Sequence, residues 1–154
     1  MSQKLITVFG ATGAQGSSVL RSLAQNTTTP FQLRGTTRNP SSDASKTLLS
    51  QIPDVELVQA NGWDKASMVA AFRGSWGAFV NTNSDDAVFE NPEETRTEVD
   101  LGKSIVDAAV EAGVEVLVYS GFNSAKDITG GKVSNKAFDG MYTADITDTA
   151  RTCP

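Results

Sequence analysis

Residues 5–20 read L-I-T-V-F-G-A-T-G-A-Q-G-S-S-V-L, and their order decides the fold. An apolar, β-branched run, Leu5–Phe9, leads straight into Gly10, Gly13 and Gly16, and Val19, Leu20 and Leu23 follow at helical spacing. Strand, glycine turn, then helix is the context in which a glycine pattern becomes a credible dinucleotide site. Gly10 permits the tight turn, Gly13 lets the backbone approach a pyrophosphate, and Gly16 lets helix and strand pack closely. The unpaired N–H groups at the helix start, at the positive end of its dipole, then face the phosphates. The spacing is G-x-x-G-x-x-G rather than G-x-G-x-x-G.

Outward from this turn, short apolar runs alternate with helical patterns. Strands are expected at Leu5–Phe9, Phe31–Thr37, Val55–Gln59, Ala78–Val80 and Val114–Tyr119. Helices are expected at about Ser17–Asn26, Ser41–Gln51, Lys65–Arg73 and Pro92–Ala112, the last ended by Gly113. Near-continuously apolar strands joined by helices imply a parallel sheet covered on both faces. The fold class is therefore α/β, a doubly wound, Rossmann-like single domain, and right-handed crossovers give the strand order 3-2-1-4-5. After Tyr119 the pattern fades into Asp, Thr, Gly and Ser, where loop and one short helix are expected.

Composition narrows the functions open to such a fold. A length of 154 residues suits one domain, and 39% hydrophobic with 20% charged residues suits a globular one. A net charge of −5 without a basic run argues against direct nucleic-acid or anionic-membrane binding. No apolar stretch approaches the ~18 residues of a membrane span, and no signal-peptide layout precedes the first strand. A single cysteine, Cys153, excludes an intrachain disulfide framework, so an intracellular protein is expected, cytoplasmic or nuclear. The absence of histidine removes imidazole acid–base chemistry, Ser-His-Asp triads and most zinc sites, and no metal site is expected.

The cofactor type is read at the tip of the second strand. An NAD site places an Asp or Glu about 20 residues past the glycines, on the ribose 2′-hydroxyl. Here Gly35-Thr-Thr-Arg38-Asn-Pro carries no carboxylate, and Arg38 stands where a guanidinium can grip a 2′-phosphate. NADP is favoured, with Asp43, a few residues later, the feature that keeps NAD open. Ligands of such sheets bind at the carboxyl ends of the strands. That nominates Asn61 and Gly62 beside the adenine, and Asn81, Thr82, Asn83 and Ser84 beside the ribose and nicotinamide. The carboxylates Asp85, Asp86, Glu90, Glu93 and Glu94 are expected to solvate their loop and favour the start of the fourth helix.

Together the segments V-F-G-A-T-G-A-Q-G-S-S-V (8–19), T-R-N-P (37–40), W-G-A-F-V-N-T-N-S (76–84), V-D-L-G-K-S-I-V-D-A-A-V-E-A-G-V (99–114) and V-Y-S-G-F-N (118–123) resemble the NmrA-like family, an atypical branch of the short-chain dehydrogenase/reductases. The resemblance spans about residues 4–140, so a cofactor-binding domain is placed at 1–140 and a divergent tail at 141–154. It implies NADP(H) binding through Gly10, Thr12, Gly13, Ala14, Gln15, Gly16, Arg38, Asn61, Gly62, Thr82 and Asn83. It also implies one of two functions. One is an oxidoreductase, often of fungal secondary metabolism, reducing a small carbonyl, enone or quinone by hydride transfer. The other is a redox-sensing regulator that binds a protein partner such as a transcription factor.

The sequence departs from the family in two places. Phe138-Asp139-Gly140 is followed by Met141 where the family carries a lysine that reaches the nicotinamide region. Family chains also continue well beyond this length, so a truncated or alternatively terminated product is expected. The Tyr-x-x-x-Lys pair of typical short-chain dehydrogenases is absent: Asn123 follows Tyr119 at that spacing, and Ile146 follows Tyr142. Tyr119 and Ser120 end the fifth strand, and Lys132 or Lys136 could substitute for the missing lysine, although a solvated loop lysine is the favoured reading of each. No catalytic residue is assigned. Hydride transfer needs chiefly a placed cofactor and substrate, so the missing acid–base pair does not exclude it.

Overall fold

The computed structural model describes residues 3–135 together with Phe138 and Asp139; Lys136 and the tail at 141–154, with Tyr142 and Cys153, lie outside the described residues. The expected alternation is present. The strands are β1 (Leu5–Val8), β2 (Gln32–Thr37), β3 (Glu56–Gln59), β4 (Gly77–Val80) and β5 (Val116–Tyr119). The helices are α1 (Ala14–Ala24), α2 (Asp43–Gln51), α3 (Lys65–Phe72), α4 (Glu98–Glu111) and a single turn, α5 (Ala125–Ile128). All strand pairs are parallel, in the order β3-β2-β1-β4-β5, with Val8 opposite both Gly35 of β2 and Phe79 of β4.

The second helix starts at Asp43 rather than Ser41, and two other helix starts differ more from the sequence reading, each for a local reason. The first helix begins at Ala14 rather than Ser17, because Gly13 itself takes the extended N-cap conformation (φ −77°, ψ 169°). The fourth begins at Glu98 rather than Pro92. Thr97 and Asp100 form a reciprocal capping box there: Asp100 N–H donates to Thr97 Oγ1 at 3.2 Å, and Thr97 N–H donates to Asp100 Oδ2 at 2.7 Å. The residues ahead of it form instead a 3-10 turn, Ala87–Glu90, capped by Asp86.

The sheet separates two apolar cores. On one face α3 and α4 close over Ala78 and Val80, burying Met68, Phe72, Leu101, Ile105 and Ala109. On the other, α1 and α2 bury Val8, Leu20, Leu33, Leu48 and Ile52. Coverage on both faces is complete for the central strands and lapses at β5. Leu117 and Tyr119 pack towards α3 and α4, but Val116 and Val118 are 39% and 54% exposed. No described helix is long and apolar enough to cross a membrane.

Asp139 ties the chain beyond β5 to α5. Its Oδ1 accepts from Ser124 Oγ (2.9 Å) and Lys126 N–H (3.0 Å), and its Oδ2 from Ser134 Oγ (2.9 Å) and Asn135 N–H (2.8 Å). The backbone donors of Lys126 and Asn135, helped by the two hydroxyls, hold this carboxyl well below the usual range for an aspartate.

Phe72 has no solvent exposure, so Phe72→Ala is expected to cost about 3–5 kcal/mol, read as a lower urea midpoint at unchanged slope. Because its folded-state pKa is depressed, the Asp139 clamp contributes fully above the ordinary aspartate pKa and is lost as pH falls below it. Amide exchange at Lys126 and Asn135, corrected for intrinsic rates, should therefore rise on acidification, and at neutral pH in Asp139→Asn. Unchanged protection in both would refute the clamp.

Candidate cofactor cleft

The turn between β1 and α1 is built on close backbone approach. Gly10 has φ +69°, in the left-handed region, and its carbonyl accepts from Gly13 N–H at 3.0 Å. That carbonyl lies where a Cβ on Gly16 would have to stand, so only glycine fits there, in the first turn of α1. Ala11 N–H donates to the Thr36 carbonyl at 3.0 Å, fastening the loop to the end of β2.

The turn also leaves α1 different from its neighbours. Ser42, Asp64, Thr97 and Ser124 cap α2, α3, α4 and α5 with a side-chain oxygen. The N-cap of α1 is Gly13, which has no side chain to offer, and no acidic residue stands in its first turn. The first N–H groups of a helix have no carbonyl partner within it. Those of Ala14, Gln15 and Gly16 thus concentrate positive potential that nothing in the chain's own capping offsets.

Beside this helix start lies a cleft of about 630 Å3, along the carboxyl ends of the strands. Gly10, Thr12, Gly13, Ala14, Gln15, Arg38, Asn61, Gly62, Thr82 and Asn83 all border it, as do Asn81 and Ser84. Gly16 is the exception among the nominated residues. It is buried under the turn, and its part is to admit the Gly10 carbonyl.

Several nominated side chains prove to be engaged already. A Cβ on Gly62 would stand 2.8 Å from Leu101 Cδ1 and 3.0 Å from Ile105 Cδ1 and Phe9 Cζ, so a side chain there would have to displace the ends of these packed side chains. Asn61 Oδ1 accepts from Trp63 N–H at 3.1 Å, and Asn83 Oδ1 accepts from Asp85 N–H at 3.1 Å, each shaping its own loop. Thr82, 2% exposed, points into the floor: its hydroxyl donates to Glu98 Oε1 at 2.7 Å. Its one proton being used, it accepts from the Tyr119 hydroxyl at 3.0 Å. Burial, with the nearby charge of Glu98, pushes the Tyr119 phenol up to about 12 against the partly opposing Thr82 bond. Tyr119 therefore stays protonated at neutral pH, with its hydroxyl held by Thr82. Ser120 donates to Gln15 Oε1 at 2.7 Å, joining β5 to the glycine turn.

The loop between β4 and α4 holds what the sequence reading missed. Asp86 does not simply solvate that loop. Its side chain is only 12% exposed, borders the cleft, and meets Arg38 Nη1 at 3.1 Å through Oδ2, while Oδ1 accepts from Val88 N–H at 3.0 Å. Glu94, also 12% exposed, pairs with Arg96, whose guanidinium lies 4.6 Å from the Trp63 ring. Phe89 meets Trp63 edge-on at 5.8 Å, so the loop is pinned across one side of the cleft. Asp43 lies away from the cleft at the start of α2, with its side chain fully exposed and 3.5 Å from Lys46. Lys132 is exposed and does not border the cleft. Among the described residues no group of three acidic or cysteine side chains could hold a metal ion.

Known proteins resemble this arrangement over nearly its whole length. The model of the NmrA-like family matches residues 2–146. The NmrA-like family domain-containing oxidoreductase notA of an Aspergillus species is 49% identical over 158 aligned positions, covering 99% of this chain and 45% of that protein. FrzB of a Cladobotryum species, described in the same words, is 51% identical over 138 positions, covering 90% of this chain and 40% of its own. The chain thus spans less than half the length of these relatives. Among solved structures, NmrA, a negative transcriptional regulator, superposes in complex with NAD (TM-score 0.77, 24% identity, 100% of this chain and 43% of that one). Its complex with NADP superposes equally (TM-score 0.76, 24% identity, 99% and 43%), a likeness of fold. By its family match and its half-identical relatives, the chain belongs to the NmrA-like family.

Proposed function

We propose that the cleft binds NADP(H), and that residues 1–140 form the cofactor-binding domain of an NmrA-like oxidoreductase acting in the cytoplasm or nucleus. The observation that carries this is the meeting of an uncapped α1 with Arg38 across one cleft. The N–H groups of Ala14 and Gln15, at the helix start where Gly13 presents no side chain, would hold the pyrophosphate. Arg38, whose side chain is 67% exposed, reaches the ribose 2′-phosphate. Gly10, Thr12, Gly62, Asn61, Thr82 and Asn83 supply the remaining wall, Thr82 through its backbone because its hydroxyl is committed to the floor. A volume of about 630 Å3 falls within the ordinary range for small-molecule and cofactor sites.

When bound, the nicotinamide supplies hydride chemistry, and a small carbonyl, enone or quinone is the acceptor class that suits it. The protein's own part is to orient the cofactor and keep the floor rigid through Tyr119, Thr82 and Glu98. That rigidity also supports a second reading, a non-catalytic NADP(H) sensor that binds a protein partner. Tyr119 and Thr82 are held in one network, their hydroxyls committed to each other and to Glu98.

Titration with NADPH and NADH tests the binding reading. Arg38→Ala is expected to cost NADPH about 1.5–3 kcal/mol through the lost charge-assisted contact and to leave NADH nearly unchanged. Equal losses for both would refute the role of Arg38. NADPH consumption over a panel of carbonyls and quinones separates the two functions: turnover supports the enzyme, and tight binding without turnover supports the sensor.

A further inference from the structure

The structure assigns to Asp86 the control of cofactor choice: its carboxylate, held against Arg38, is the acceptor for a ribose 2′-hydroxyl and opposes a 2′-phosphate. This rests on the reading of the cleft as a dinucleotide site. A site for NAD needs a carboxylate at the ribose, which such folds ordinarily place at the tip of the second strand. Here that tip carries Arg38, and Asp43, the next acid along the chain, is away from the cleft. Asp86 comes instead from the far side of β1, on the loop after β4, and Oδ2 stands 3.1 Å from the guanidinium. One cleft wall therefore carries both an acid and a base at a single point, brought together from positions 38 and 86.

The consequences for the two cofactors are opposite. A 2′-hydroxyl can donate to Asp86 while Arg38 stays paired, so nothing must be broken. A 2′-phosphate on Arg38 must share the guanidinium with Asp86, which already engages it through Nη1, and it brings negative charge close to a carboxylate that is 12% exposed. Asp86 cannot swing away freely, because its other oxygen caps the 3-10 turn through Val88 N–H, and that turn is pinned by Phe89 on Trp63. The pair thus moderates the preference for NADP that Arg38 alone would impose.

Asp86→Asn and Asp86→Ser test this, since both keep an oxygen able to accept from Val88 N–H. Binding of NADPH and of NADH is measured by titration calorimetry on each folded variant. Removing the charge is expected to raise the ratio of NADPH to NADH affinity by about tenfold, NADPH tightening and NADH weakening by about two- to fivefold. A ratio that is unchanged or falls in both variants overturns the assignment while the dinucleotide reading stands. If the unsubstituted chain binds neither cofactor, that reading fails and takes the assignment with it.

Discussion

One oxygen atom governs the carboxyl edge of this sheet. The Gly10 carbonyl fills the space that a side chain on residue 16 would claim, and with that contact α1 starts inside the loop instead of after it. Every other relation at the edge follows. Because the helix begins at Ala14, its first amides stand beside the strand tips, close to Thr36, Asn81 and Thr82. Because the cap is glycine, those amides keep their donors. A larger residue at 16 would push α1 outward, and its seal on Leu33 and Leu48 would open with it.

The fold itself was legible because it is written in local terms. Periodicity separated strands from helices, and near-continuously apolar strands joined by helices implied parallel crossovers, which leave few orders to choose between. The start of α4 was legible too, in Thr97-x-x-Asp100, yet Pro92 and the acidic residues before it suggested an earlier beginning. The site was half legible. Its backbone part, the glycine turn and the strand tips, comes from a short stretch or from topology. Its side-chain pairings join residues 48 and 105 positions apart, Arg38 with Asp86 and Gln15 with Ser120, and no local pattern encodes such contacts. The asparagines and Thr82 border the cleft, but Asn61, Thr82 and Asn83 direct their oxygens to the protein's own loops and floor.

Polarity at the edge is therefore divided by depth. Near the surface lie groups with capacity to spare, the α1 amides and the exposed Arg38. Beneath them, Thr82, Tyr119 and Glu98 form a buried network whose protons are committed. A committed network fixes shape; a spare donor binds. The cleft combines the two, with its rigid part under β4 and β5 and its receptive part under β1 and β2.

The strand order carries a last consequence, for assembly during synthesis. The first three strands are neighbours with α1 and α2 beside them, and they can gather around Val8 and Leu33 while the chain is still emerging. The cleft cannot form at that stage, because its second wall hangs on β4, which pairs with β1 across about seventy intervening residues. Closing so long a loop is slow relative to local pairing. A nascent chain thus has its glycine turn early and its pocket late, and only after Val80 has docked do Arg38 and Asp86 meet.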